Sequence, residues 1–247
     1  MGGVKEIALV TGGNKGIGRE IVRRLADRGF VVHLGARDPE RGGRAVAELR
    51  AESSGADIRF VQLDVTDPAS VAAAVTTIDA GAGRLDVLVN NAGIMTEWGV
   101  RTADVTAEHL REVYEVNVFG VVAVTSACLP LLRRSRNARI VNMSSGLASL
   151  TLLSNPSIPL RKFLAYSSSK AALNALTLIY ADALRADGIK VNAVSPGMVP
   201  TDQNAAAPFP RGDRTPSDGA VVPTQFATIP ADGPTGTFHG PDAAIPW

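Results

Sequence analysis

The stretch EIALVTGGNKGIGREIVRRLADRG, residues 6–29, begins as an apolar strand-like run, turns at glycines, and continues as a helix. Gly12, Gly16 and Gly18 fall where a strand-to-helix turn needs tight backbone geometry, close approach to a pyrophosphate, and a helix packed hard against the sheet. The N-terminus of such a helix suits an anion. A glycine turn that merely starts a helix has the same local appearance, so the surrounding pattern has to decide.

Outward from this stretch, short apolar runs alternate with longer helical segments. Strands are predicted at 6–12, 30–36, 58–64, 85–91, 138–145, 189–195 and 235–240. Helices are predicted at about 17–29, 40–53, 68–82, 106–134, 163–187 and 216–228. Most of the strand runs are continuously apolar instead of alternating, as parallel strands covered on both faces require. The expected fold is therefore α/β: a doubly wound, Rossmann-type parallel sheet of about seven strands. With 247 residues, 45% of them hydrophobic, the chain fits one domain spanning 1–247. Loops at about 146–163 and 198–220 are the segments expected to shape a substrate pocket.

Composition narrows the function. Lysine and arginine total 25 against 24 for aspartate and glutamate, so no broad charge footprint for nucleic acid or an anionic membrane is visible. Cys128, the sole cysteine, lies in the apolar run VVAVTSACLPLL and reads as a core residue. His33, His109 and His239 lack ligand-like spacing, and no metal is expected. The N-terminus enters a strand without a signal-like segment, and no apolar run reaches the roughly 20 residues that span a bilayer. A soluble, cytoplasmic protein is expected.

Polar residues then gather at the ligand edge of the sheet. LDVLVNNAG puts Asn90, Asn91, Ala92 and Gly93 at the end of the fourth strand, and ARIVNMSSG puts Ser144 and Ser145 at the end of the fifth. Asn117 sits within an apolar helical stripe of Leu110, Val113, Gly120, Val121 and Val124, where a polar side chain demands a partner; a structural amide satisfied by backbone is one answer. In LAYSSSKAALNAL, residues 164–176, Tyr166 and Lys170 are four apart and share a helix face. Taken alone, that pair also describes a half-buried ring with a snorkelling lysine.

Together these features resemble the short-chain dehydrogenase/reductase family, in its single-domain, carbonyl-reductase-like branch. The matching segments are TGGNKGIG (11–18), NNAG (90–93), Asn117, the serines at 144 and 145, YSSSK (166–170) and SPGMVPT (195–201), in the family's order across essentially the whole chain. The resemblance implies a catalytic set of Asn117, Ser145, Tyr166 and Lys170. Tyr166 is then the general acid and Lys170 its activator and ribose contact, with Ser145 favoured over Ser144 for the carbonyl oxygen and Asn117 expected to hold a proton-relaying water. It further implies a dinucleotide held by Gly12, Asn14, Lys15, Gly16, Ile17 and Gly18, by Arg37, Asp64 and Val65, and by Asn91, Ala92 and Gly93. Tyr166, Lys170, Pro196, Gly197, Val199 and Thr201 complete that set.

The expected cofactor is NADP(H). In VVHLGARDPERG the slot where NAD-binding folds carry an acidic residue holds Ala36, followed by Arg37, and Lys15 adds a second cation. Asp38 would bind a ribose instead if the strand ran one or two residues further. The expected substrate is a small-molecule ketone or aldehyde, reduced to an alcohol by hydride transfer. The oxidising direction uses the same residues, and a non-catalytic NADP sensor is the rival of a different class. Arg161, Lys162 and Arg211 are candidates for recruiting a carboxylate. Oligomeric state is left open.

Overall fold

The computed structural model describes residues 5–53, 55–158 and 163–247. Strand β1 (Ile7–Thr11) leads through the glycine turn into helix α1 (Gly16–Asp27). The alternation continues with β2 (Val31–Ala36), α2 (Pro39–Glu52), β3 (Asp57–Gln62), α3 (Pro68–Ala82) and β4 (Val87–Asn90). Helices α4 (Ala107–Tyr114) and α5 (Gly120–Leu132) precede β5 (Arg139–Met143), followed by the short α6 (Leu150–Ser154) and the long α7 (Leu164–Ala183). Strand β6 (Lys190–Val194), helices α8 (Pro216–Gly219) and α9 (Val221–Ala227), and β7 (Phe238–His239) complete the order.

The seven strands pair in parallel in the order 3-2-1-4-5-6-7, the doubly wound α/β arrangement expected from the apolar runs. Burial on both faces explains why those runs do not alternate. Ala8 and Val10 of β1 join the core under α1, α2 and α9, with Ile21, Leu25, Leu49 and Phe226. Ile7 and Leu9 of the same strand join the opposite core under α3, α5 and α7, with Ile78, Val124 and Ala181. Cys128 is buried in that second core, and burial pushes its thiol up to about 12, so it is inert packing. Neighbouring strands β1 and β4 send the chain in opposite directions, which opens a crevice between their carboxyl ends.

The expected loop at about 146–163 carries the short helix α6, and three predicted elements differ from expectation. The predicted continuous helix 106–134 is interrupted by a π-helical turn at Glu115–Phe119. The Asn117 amide exchanges two hydrogen bonds with the Ile94 backbone, and Gly120 lies so close to Val65 that a Cβ there would come within 2.8 Å. The extra residue in the turn keeps both contacts while Val113 and Val124 remain in the core. The span Ala107–Leu132 is long and apolar enough to cross a membrane by composition, and half of its apolar window is buried inside the protein.

The predicted helix 216–228 is two pieces, because Pro223 has no N–H to return to the preceding turn. Strand β7 shrinks to two residues: Thr237 donates to the Asn192 side chain and Gly240 donates to Ala243, which ends the ladder on both sides.

Candidate active site

The carboxyl ends of β1, β2 and β4 border a cleft of about 770 Å³. Its lining includes Gly12, Asn14, Lys15, Gly16, Ile17, Gly18, Arg37, Asp64, Val65, Asn91, Ala92, Gly93 and Thr201, thirteen of the residues expected to hold a dinucleotide. Gly12 adopts φ +64°, open to glycine at little cost, and a Cβ on Gly18 would stand 2.4 Å from the Gly12 carbonyl oxygen. Asn91 fastens this turn by donating through Nδ2 to the carbonyls of Thr11 (2.8 Å) and Gly12 (3.1 Å). Helices α2 and α3 begin with the capping carboxylates of Asp38 and Asp67, whereas α1 has neither a capping side chain nor an acidic residue in its first turn. Its uncapped N–H groups and positive dipole end fit a pyrophosphate at the cleft.

Strand β2 ends at Ala36, and Asp38 accepts from the Glu40 and Arg41 amides at 3.0 Å each. Asp38 is thus spent on starting α2. Arg37 and Lys15 both line the cleft as cations, and Lys15 Nζ pairs with Asp202 at 3.0 Å. Asp64 accepts from the Thr66 amide and hydroxyl, which fixes its carboxylate at the cleft's edge.

Deeper in the crevice, α7 carries Tyr166 and Lys170 to the ends of β4 and β5. Lys170 is buried, donates to the Met143 carbonyl at 2.8 Å, and places Nζ 5.9 Å from the Tyr166 ring centroid. Burial pulls its ammonium down to about 8. Burial pushes the Tyr166 phenol above its ordinary value, while hydrogen bonds with Ser145 and Gln203 pull the other way. The two serines part company: Ser145 lines the same cavity as Tyr166, whereas Ser144 Oγ donates to Asn174 Oδ1 at 2.6 Å. Asn117 is wholly buried; its Nδ2 donates to the Ile94 carbonyl and to Ser169 Oγ, and its Oδ1 accepts from the Ile94 amide. The backbone-satisfied amide weighed for Asn117 is therefore present. A Cβ on Gly93 would lie 3.3 Å from both Asn117 Oδ1 and Lys170 Nζ, so both groups border that glycine.

A second cavity of about 400 Å³ opens over Tyr166 and Ser145 and takes in Pro196, Gly197 and Val199. Its wall includes Leu147, Met198, Phe163, Trp98 and Phe209, and no charged side chain contributes among the described residues. Trp98 packs edge-on to Phe163 at 5.5 Å, lies 5.9 Å from Phe209, and donates Nε1 to the Gln203 carbonyl at 2.8 Å. Ile17, Met95, Thr201 and Gln203 line both cavities, which therefore adjoin without a partition. Arg211 donates to the Thr201 carbonyl at 3.4 Å and does not line this cavity. Arg161 and Lys162 lie outside the described residues. Trp98, Gln203 and Glu97 were not foreseen; the only sequence signal was a tryptophan four residues beyond NNAGI, without a periodic partner.

The family model described as short chain dehydrogenase matches residues 6–209. The (+)-neomenthol dehydrogenase of Capsicum annuum is 34% identical, with 94% of each chain covered. Carbonyl reductase (NADPH) 1 of Mus musculus is 35% identical over 100% of both chains. Among solved structures, salutaridine reductase from Papaver somniferum superposes with a TM-score of 0.82 at 31% identity, covering 96% of this chain and 99% of its own. An NADPH-bound carbonyl reductase from chicken fatty liver gives a TM-score of 0.84 at 28% identity, covering 99% and 100%.

Proposed function

Because the chain belongs to the short-chain dehydrogenase/reductase family and is an oxidoreductase of that type, we propose that it reduces an uncharged, apolar ketone or aldehyde with NADPH. The observation that carries this reading is the Tyr166 phenol, which lines an apolar cavity together with Ser145. Names among the relatives point the same way, since those proteins are called neomenthol dehydrogenase, salutaridine reductase and carbonyl reductase.

The bound dinucleotide supplies a hydride to the carbonyl carbon. The residues manage the charge that then appears on oxygen. Ser145 donates a hydrogen bond to that oxygen and orients it toward Tyr166. Tyr166 gives up its phenolic proton, completing the alcohol and leaving a phenolate. The Lys170 ammonium favours the phenolate electrostatically, and protons return from solvent by way of Lys170 and a water near Asn117. Arg37 and Lys15 bind the 2′-phosphate, and the aromatic wall of Trp98, Phe163 and Phe209 receives the body of the substrate.

The test is Tyr166→Phe, assayed as carbonyl-dependent loss of NADPH absorbance over a panel of ketones, aldehydes and quinones. Wild type should turn over uncharged members of the panel. The variant should lose at least about 100-fold in turnover, the usual worth of an acid/base group, while still binding NADPH by fluorescence. Near-normal turnover by Tyr166→Phe would refute the mechanism.

A further inference from the structure

We propose that Glu97 is a positioning residue for this reaction, holding Tyr166 in place by capping α7 from outside the helix. The inference rests on the reading of Tyr166 as proton donor. Helix α7 begins after Phe163, whose side chain accepts no hydrogen bond, so the helix has no cap of its own. Two first-turn amides turn instead to a residue 68 and 69 positions upstream: Ala165 N donates to Glu97 Oε2 at 3.2 Å, and Tyr166 N donates to Oε1 at 2.7 Å.

Glu97 is only 1% exposed. A carboxylate withdrawn from water is costly unless its oxygens are bonded, and among the described residues no lysine or arginine forms an ion pair with it. Compensation comes from the two amides and the positive end of a 20-residue helix. Because two oxygens take two successive amides, the contact sets both the height and the rotation of the first turn. The shorter of the two bonds is to the amide of Tyr166 itself, so the phenol's anchor point is fixed by Glu97. Its neighbour Trp98 forms the cavity wall, and one segment thus sets the donor and the substrate's side of the site together.

Steady-state kinetics on the full chain, with NADPH and a ketone that wild type reduces, tests this through Glu97→Ala, Glu97→Gln and Glu97→Asp. Ile58→Val, a small core truncation on the edge strand β3, controls for lost stability. In Glu97→Ala, kcat should fall about 10- to 100-fold, as expected when a reacting group is displaced by a fraction of an ångström to an ångström. Ketone KM and NADPH affinity should stay within about twofold, since neither cavity loses a contact. Glu97→Gln keeps the reach and the oxygen facing Tyr166 N, and should recover kcat to within about threefold of wild type. Glu97→Asp keeps the charge but not the reach, and should fail like alanine.

Wild-type kcat in Glu97→Ala, an equal loss in Ile58→Val, or glutamine performing no better than aspartate would overturn the proposal. If Glu97→Ala does not fold, the ranking of glutamine against aspartate decides alone. Tyr166→Phe with normal turnover would strike the underlying mechanism instead, so the two failures are distinguishable.

Discussion

Arg37 follows the end of β2 and its charge acts on the Asp38 and Asp64 carboxylates, with no ion pair among the described residues, whereas Lys15 already has a partner in Asp202. Both members of that pair are largely exposed, at 57% and 75%, and such a pair is worth only about 0–1 kcal/mol, so an arriving phosphate can displace it. Arg37→Ala should raise the KM for NADPH by about 10- to 150-fold, the equivalent of a charge-assisted hydrogen bond of ~1.5–3 kcal/mol, and leave NADH nearly unaffected. Lys15→Ala should act in the same direction but less, because an ammonium binds as a point charge without the guanidinium fork. Asp202→Asn should do the reverse. It frees Lys15 and removes a negative charge near the phosphate, tightening NADPH by about two- to fivefold with no gain for NADH. Kinetics with both cofactors check all three, and equal effects on the two would mean the 2′-phosphate sits elsewhere. At this scale the sequence was informative wherever a residue's neighbours in the chain decide its role. Asp38 shows the limit: as an acid near the end of β2 it could serve a ribose or start a helix, and only the two amide bonds show which.

Elements were legible to the extent that local pattern encodes them. Near-continuous apolar runs marked β1, β2 and β4 because both faces of the sheet are covered there, and helix α3 was foreseen at its observed bounds because Pro68 and Gly83 punctuate it. The π turn at Glu115–Phe119 was hidden, since one extra residue barely disturbs a stripe that still reads Val113, Asn117, Gly120, Val124. Its cause lies outside the helix, in the Ile94 backbone and in Val65. The same holds for α7. The helix face shared by Tyr166 and Lys170 was legible from their spacing, but the cap that Glu97 gives that helix, and the Trp98 to Gln203 contact spanning 105 residues, join segments that no local pattern connects. Side chains that bond distant backbone are set by the assembled sheet and have no period of their own.

On the scale of the whole molecule, His33 ties global stability to pH. It lies in the sheet interior at 3% exposure, opposite Arg59 in the β2–β3 register, and neither ring nitrogen has a hydrogen-bond partner among the described residues. Burial, reinforced by Arg59, pulls it down to about 4, whereas in the unfolded chain it titrates near 6.5. The folded state therefore refuses a proton that the unfolded state accepts between those values. Its contribution is fully present above about pH 6.5 and is lost as pH falls toward 4, amounting to roughly 3 kcal/mol across the window. Urea midpoints at pH 7.5 and 4.5 should show a smaller acid loss in His33→Leu than in wild type, and an unchanged loss would place the acid sensitivity in other groups. The unpartitioned boundary between the two cavities carries a kinetic consequence. With Ile17, Met95, Thr201 and Gln203 common to both, the space for a carbonyl compound lacks one wall until the dinucleotide lies against it. Addition should then be compulsory in order, dinucleotide first. An unreactive ketone analogue should accordingly inhibit competitively against the ketone but uncompetitively against NADPH, with parallel lines in the double-reciprocal plot; intersecting lines would mean that the apolar cavity is competent on its own.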